Sequence, residues 1–537
     1  MPIKISILLD SLDIPFWVSE LLSSIQKDSR YEICCIAYDA GSKPPSRSAF
    51  GYRLLRNVDQ RLMRLPGNPF KKVKFEGGTI PVIPVHPIRK KFSDYFPEEG
   101  INEIKKYQPD ILLRFGFRIL RGEILKLAPH GILSLHHGDT AKYRGGPPAF
   151  WEGVEKHPTT GVTLQVLTET LDAGVIIDKA FVRTDTTSFI RNQQKLYWAG
   201  LELFKKQLRY LADKGLTQYF QDIRQNSFKE EKGKLYRNPS SLKSFQLFIS
   251  FLSATLLRRV RASSLKNQWQ IIYKKKQEIN LHPDLSNFQK LIPPKDRIWA
   301  DPFSVYKDDT HYLFLEEKLF NQLNAHISVI RLNDKGELID KVPQQVLKTD
   351  HHLSYPFVFE KDGSYYMIPE SGAYGKVILY ESVNFPYEWK QKKVLMDGVK
   401  AFDSTLHFHD DGRVYLFCTV QPTPYDSADV HLYIYSSTDW LNEPFVPHAL
   451  NPVVQDVSAA RPAGNIFQKD GKWLRPVQQC APVYGYAIRF FEIEELSPTT
   501  YKQRILSSIE PFNGVLATHT FNYDSGLALG DVQVVRL

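Results

Sequence analysis

Three polar side chains could carry proton chemistry together: Ser134, His136 and Asp172. The first two lie two positions apart in "GILSLHHGDTAKYRGGPPAFW", residues 131–151, where an apolar run opens into a basic, Gly/Pro-rich loop. In a strand that spacing puts the hydroxyl and the imidazole on one face, and His137 on the other. His137 is therefore expected to be structural. Asp172 follows a further apolar run, "GVTLQVL", in the turn "TLDAGVII". A carboxylate beside an imidazole raises its pKa and fixes its tautomer, which suits general acid–base work near neutral pH. On spacing alone, a histidine at a strand end is more often structural.

The elements that must position these residues are short strands alternating with helical patterns over residues 1 to about 225. "KISILLD", "YEICCIAYDA", "DILLRFG" and "GILSLHHG" read as strands, and "FWVSELLSSIQ" as a helix with apolar positions three and four apart. This alternation predicts an α/β domain with a mainly parallel sheet, whose ligands bind at the carboxyl ends of the strands. His136 sits at such an end. The first strand-to-helix turn, "LLDSLDIPF", has no G-x-G-x-x-G, so a dinucleotide site has no support. At 537 residues the chain is too long for one core. Its net charge of +10 favours anionic partners such as phosphates, nucleotides or acidic lipid headgroups. The four cysteines show no metal-ligand spacing and read as reduced core residues of a cytoplasmic protein; no metal site is expected. The N-terminus reads as a first strand rather than a signal peptide, and no run is long enough to span a bilayer.

From residue 267 the helical pattern gives way to five related segments: "WADPFSVYKDDTHYLFLEE", "SYPFVFEKDGSYYMIPES", "FDSTLHFHDDGRVYLFCT", "ARPAGNIFQKDGKWLRPVQ" and "THTFNYDSGLALGDVQV". Aligned on Pro302, Pro356, Ser404, Pro462 and Thr520, they recur at spacings of 54, 48, 58 and 58. That period and strand–turn–strand content predict a five-bladed β-propeller, with "NQWQIIYKK", 267–275, completing the last blade. Asp301, Glu317, Glu370, Asp403 and Asp531 recur at blade starts or inner strand ends, with Arg461, Gln478 and His519 beside them. Facing carboxylates would suit glycoside hydrolysis. The same groups could instead bind a sugar or satisfy buried turn amides. The expected domains are thus 1–230 (α/β), 231–266 (basic linker) and 267–537 (all-β). Within the linker, apolar Phe245–Leu257 is followed by Arg258, Arg259 and Arg261. It is either a packed linker helix or an interfacial helix at a membrane, contact running through 245–261.

Residues 107–190 resemble the catalytic domain of the folate-dependent formyltransferases, the family of methionyl-tRNA and sugar N-formyltransferases. "LSLHHGDTAKYRGGPP", "TTGVTLQV" and "TLDAG" carry the likeness, with "PDILLRFGFRILRGEILKLAPHGIL" before them and 36 residues between His136 and Asp172. The resemblance implies a Rossmann-like domain that transfers a formyl group from 10-formyltetrahydrofolate to an amine. His136 and Asp172 would be catalytic, with Phe115, Gly116, Gly138, Asp139, Thr140 and Ala141 around the cofactor and Arg144 and Gly145 on the substrate loop. Two departures stand out. The family asparagine is Ser134, and "GDTA" replaces Ser-Leu-Leu-Pro after the histidine. Losing an oxyanion donor costs about 3–4 kcal/mol in the transition state, so Ser134 is expected to serve as a shorter, partial donor.

The repeats, through "ADPF", "YPFVF…YYMIPES" and "ARPAGN", resemble five-bladed glycosidase-like propellers, including the domain of plant inositolphosphorylceramide glycosyltransferases. Together the two resemblances imply modification of an amino sugar, sugar nucleotide or glycolipid in glycan assembly, at the inner face of a membrane. The other reading is a non-formylating glycan-assembly protein whose propeller binds or hydrolyses carbohydrate. Nucleic acid is not expected, because the propeller stands where a small tRNA-binding barrel would be.

Overall fold

The computed structural model describes residues 1–42, 49–63, 66–169, 174–226, 233–247, 249, 253, 266–275, 278 and 280–536. Asp172 and Arg258, Arg259 and Arg261 lie outside the described residues, as does most of Phe245–Leu257. The chain divides into two compact units: Met1–Leu256, and from Leu257 onward the remainder apart from Pro424–Asp426.

The first unit is built on seven strands: β1 (Ile3–Leu9), β2 (Tyr31–Asp39), β3 (Val82–Val85), β4 (Ile111–Arg114), β5 (Ile132–His136), β6 (Thr159–Val166) and β7 (Val175–Arg183). Their order is β7-β6-β5-β4-β1-β2-β3. Strands β1 to β5 run parallel, whereas β6 and β7 are antiparallel additions at one edge. The parallel strands are apolar along their length because they are covered on both faces. Between β1 and β2 runs α1 (Phe16–Gln26), burying Trp17, Val18, Leu21, Leu22 and Ile25 at helical spacing. Cys34 and Cys35 pack with Leu8, Ile104 and Leu112 in the core, and all four cysteines are free and buried.

The helix Phe189–Lys214 starts where the Ser188 hydroxyl accepts the Arg191 N–H, and ends at Gly215, whose φ of 78° suits only glycine. It crosses β6 and β7 closely: a Cβ on Gly200 would lie 3.3 Å from Leu135 and 3.4 Å from Val162. That contact holds β5, the strand carrying His136, against the helix.

Among the described residues the second unit is built of β-strands in five antiparallel sheets. Four are formed in chain order by strands 297–347, 354–397, 401–447 and 467–509. In the fifth, Phe521–Asp524 and Leu527–Arg536 form a hairpin, and Lys266–Lys275 pairs antiparallel along Leu527–Arg536. Each sequence repeat is thus the first hairpin of a sheet. In the first three sheets the register slips one residue before the aligned position, between Ala300/Phe303, Ser354/Phe357 and Phe402/Thr405. Asp301, Tyr355 and Asp403 occupy these bulges with φ of 49°, 43° and 52°. A bulge re-aims a side chain, and non-glycine residues held at positive φ mark positions the surroundings over-determine.

Candidate functional site

At the carboxyl edge of the α/β sheet, three adjacent strands place polar residues in one row. Ser134 on β5 is opposite Arg114 on β4 and Gln165 on β6. Directly opposed residues share a face, so the three side chains point together. Arg114 Nη1 donates to the Ser134 hydroxyl at 3.1 Å, and its Nη2 donates to the Phe117 and Arg118 carbonyls at 2.9 and 2.7 Å. Ser134 is 1% exposed, yet lines a cavity of about 90 Å³ with Arg114, Ile119, Leu120, Leu135, His136, Gln165, Leu167, Thr168 and Gly174. Ser134 and His136 share this cavity, as their spacing predicts.

The tautomer of His136 is set by its partner. Nε2 lies 3.0 Å from the Tyr143 carbonyl, which only accepts, so Nε2 carries the proton. The loop that follows is built around this bond. A Cβ on Gly138 would sit 2.6 Å from the Tyr143 oxygen and 2.9 Å from His136 Nε2, so only glycine leaves room. Asp139 is buried against Lys179 at 2.6 Å and accepts the Ala141 N–H, while its carbonyl accepts the N–H groups of Lys142 and Tyr143. Thr163 Oγ1 donates to the Gly138 carbonyl at 3.0 Å. Arg144 and Gly145 belong to strand Tyr143–Gly145, which pairs with Lys234–Tyr236. A Cβ on Gly145, at φ 84°, would come within 2.3 Å of the Tyr236 carbonyl.

His137 takes the structural part. It stacks on Tyr197 at 3.8 Å between centroids and meets Trp17 edge-on, and burial lowers its pKa to about 3. Residues assigned to the cofactor also do packing work. Phe115 meets Trp17 edge-on at 5.5 Å, and a Cβ on Gly116 would strike the Asp10 nitrogen at 2.0 Å. Neither these nor Gly138, Asp139, Thr140 and Ala141 line the cavity beside His136. Arg114 and Gln165, which do, went unremarked in the sequence. Their only signal is a polar residue interrupting an apolar strand, in "DILLRFG" and "GVTLQVL". Gln165 is 4% exposed and its Oε1 has no partner among the described residues, so a ligand N–H would find an acceptor there. Pteridine rings and amines both carry such donors, and the cavity fits that chemistry.

In the β unit the five residues preceding the aligned repeat positions are Asp301, Tyr355, Asp403, Arg461 and His519, and they engage one another. Asp301 Oδ1 accepts from Thr520 Oγ1 at 2.7 Å and Oδ2 from the Tyr355 N–H at 3.2 Å. Asp531 Oδ1 accepts the N–H groups of His519 and Thr520, and Oδ2 that of Asp301, all at 3.0 Å. His519 Nδ1 lies 2.7 Å from Asp531 and 3.5 Å from Asp301. Burial opposes charge on His519, but the two carboxylates outweigh it and raise its pKa, while burial raises that of Asp301. Asp301, His519 and Asp531 come within metal-ligating reach of one another, but every carboxylate oxygen already accepts a hydrogen bond. The His519 imidazolium offsets one of the two carboxylate charges.

The neighbouring pair is closed in the same way. Arg461 holds Asp403 through Nε at 2.6 Å and Nη2 at 3.2 Å, and Gln478 adds a bond at 2.7 Å. Glu370 accepts from Ser354 Oγ at 2.8 Å and from the Gly372 N–H at 2.5 Å. Glu317 is held by Arg297, Trp299, Ser328 and His326 at 2.8, 3.2, 2.7 and 3.3 Å. Burial alone would raise the Glu317 carboxyl, but these partners hold it near 2. These acids accept from their own fold.

Two family models match parts of the chain. Residues 61–194 match the formyl transferase family, and residues 292–512 match glucosamine inositolphosphorylceramide transferase 1, N-terminal. Both resemblances read from the sequence are shown. The chain is 35% identical over 206 residues to glucosamine inositolphosphorylceramide transferase 1 of Arabidopsis thaliana, covering 38% of this chain and 26% of that protein. It is 29% identical over 183 residues to the methionyl-tRNA formyltransferase of Thermodesulfovibrio yellowstonii, covering 33% and 56%. The match thus spans about a quarter of the plant relative and just over half of the bacterial one. A GH43_1 enzyme from Xanthomonas citri aligns in structure with 44% of this chain and 87% of its own, at 15% identity and a TM-score of 0.32.

Proposed function

We propose that the chain is a transferase that moves a formyl group from 10-formyltetrahydrofolate to the amine of an amino sugar, or of its nucleotide or lipid carrier. The observation that carries this reading is the row Arg114–Ser134–Gln165 beside His136, in one cavity at the carboxyl edge of a formyl transferase domain. The folate would supply an activated formyl carbon. The His136 imidazole, with Nε2 held on the Tyr143 carbonyl, would take the proton from the attacking amine nitrogen and return it to the leaving nitrogen of the donor as the old formyl C–N bond breaks. The Ser134 hydroxyl, already accepting from Arg114, keeps its own proton to donate toward the developing oxyanion. The guanidinium adds the charge that the shorter side chain needs. Gln165 Oε1 would hold an N–H of the bound group, Asp172 would orient His136, and Arg144 would meet a phosphate of the acceptor.

In this reading residues 1–230 are the catalytic domain, 231–266 the linker, and the five sheets of 267–537 the blades of a propeller closed by strand Lys266–Lys275. The internally paired acids favour a propeller that binds or positions carbohydrate rather than hydrolysing it. The plant relatives are named for a glucosamine inositolphosphorylceramide transferase activity, which supports a glycolipid or amino-sugar acceptor. The protein would work at the cytoplasmic face of a membrane. Calorimetric titration of the full chain with a non-reactive folate analogue tests the donor: saturable binding weakened by Gln165→Leu is expected, and absence of binding would overturn the folate assignment.

A further inference from the structure

Helix α2 (Phe50–Leu62) is two-faced beyond what its packing requires. Its inner face is Tyr52, Leu55 and Asp59, the first two packed with Phe150, Phe189 and Leu247. Asp59 is also turned inward, accepting the Ile190 N–H at 2.9 Å. Its outer face carries a second apolar stripe at i, i+4 spacing: Phe50, Leu54, Val58 and Leu62. Phe50 is 70%, Leu54 54% and Leu62 66% exposed. Arg53 lies beside that stripe and Arg61 within it, both exposed, whereas Arg56 projects from the opposite side, near Tyr52.

A second helical stretch continues the patch. Residues 241–247 are helical and abut α2 at its start, where the Gly51 N–H lies 3.4 Å from Ser241 Oγ and a Cβ on Gly51 would sit 2.9 Å from Ser241. Leu247 joins the α2 core cluster, whereas Leu242, Phe245 and Ile249 turn outward, 70%, 61% and 53% exposed. Their spacing of three and four puts them on one side of a helix. Lys243 lies beside them, exposed. Neither helix carries an exposed acid among the described residues. Single exposed apolar residues are ordinary, but a contiguous group on two adjacent helices marks an interaction surface.

We propose that this two-helix face docks the protein on a lipid surface bearing anionic headgroups. Phe50, Leu54, Leu62, Leu242, Phe245 and Ile249 enter the acyl boundary, and Arg53, Arg61 and Lys243 meet the headgroup charge. An exposed apolar stripe that carries bases and no exposed acid is the composition of an interfacial helix, and a protein partner of opposite charge would not by itself explain the apolar stripe. The inference extends the membrane placement proposed above from the linker to α2, and it can be read without any turnover.

The test is co-sedimentation of the full chain with phosphatidylcholine vesicles containing about 30% phosphatidylserine, at low and high salt. Two variants accompany it, Arg53→Gln/Arg61→Gln/Lys243→Gln and Phe50→Ser/Leu54→Ser, checked by melting temperature because both alter exposed positions only. Binding that weakens in salt is expected. Losing these three bases at roughly fivefold each should lower partitioning on the order of 100-fold, and the serine variant should also release the protein. The proposal is overturned if wild type ignores anionic vesicles at low salt, or if both variants bind as wild type does. It is also overturned if Phe50→Ser/Leu54→Ser instead dissolves a dimer of the chain that binds no vesicle. None of these results bears on formyl transfer.

Discussion

Replacing Arg461 by methionine should destabilise the C-terminal unit strongly, and the geometry sets the size of the effect. The guanidinium is 7% exposed and Asp403 2%, so the pair is desolvated. Two bonds join them, at 2.6 and 3.2 Å, and the guanidinium lies 5.5 Å from the Phe402 ring centroid and 5.1 Å from that of Tyr484. Methionine keeps most of the volume but strands the carboxylate with only Gln478 beside it. Breaking one half of a buried pair costs about 3–5 kcal/mol. For a unit of this size each kcal/mol is worth about 2–4 °C, so Arg461→Met should lower its melting temperature by roughly 10 °C. Asp403→Asn/Arg461→Met leaves no buried ion and should recover most of that loss. Calorimetry of the full chain reads both. If Arg461→Met melts within a degree or two of wild type, or the double variant is the worst of the three, Asp403 is not a structurally neutralised acid. A role for it in glycoside hydrolysis would then reopen.

Other outcomes follow from the two units. Arg114→Met should lower turnover about 100-fold or more by removing the charge behind the Ser134 hydroxyl, and Ser134→Asn in the same chain should restore part of it by supplying an amide donor; equal loss in both variants would make Arg114 merely structural. Gly138→Ala should cut turnover and lower the melting temperature, since its Cβ would lie 2.6 Å from the Tyr143 carbonyl oxygen and enter the His136–Tyr143 hydrogen bond, and wild-type turnover and melting would contradict that. Glu317 sits near 2 when folded and 4.5 when unfolded, so its contribution, about 2 kcal/mol after screening, is full above pH 4.5 and lost as pH falls through 2. Glu317→Gln should therefore flatten the acid limb of stability over that window, and an unchanged limb in chemical denaturation would refute the assignment.

The elements were legible where a single physical signal dominates. Helix α1 follows from apolar residues at 3–4 spacing, and β1, β2 and β5 from short, mostly apolar runs, because a strand covered on both faces has little polar side. The repeats were legible because each is a hairpin with its own turn, and the pairing of Lys266–Lys275 with the last strand follows from the need to cover an edge. The relation of Ser134 to His136 needed only the period of a strand. Arg114 and Gln165 were hidden because their meeting depends on register across three strands, which local spacing does not encode. The fate of the acids was hidden likewise. Asp301 and Asp403 were visible as recurring carboxylates, but the bulges that aim them and the Arg461 and His519 side chains that neutralise them arise only when the hairpins assemble.

The central claim is formyl transfer at the Ser134–His136 cavity. Its most direct test supplies the full chain with 10-formyltetrahydrofolate carrying a carbon-13 formyl group, together with amino sugars, their nucleotides and glucosamine-bearing lipids, and follows the label by NMR. The account predicts a labelled formamide on one acceptor class, formed by wild type and abolished in His136→Ala with the fold intact. Label transfer at full rate in His136→Ala, or no transfer to any of these amines by a protein that binds the folate, would contradict it.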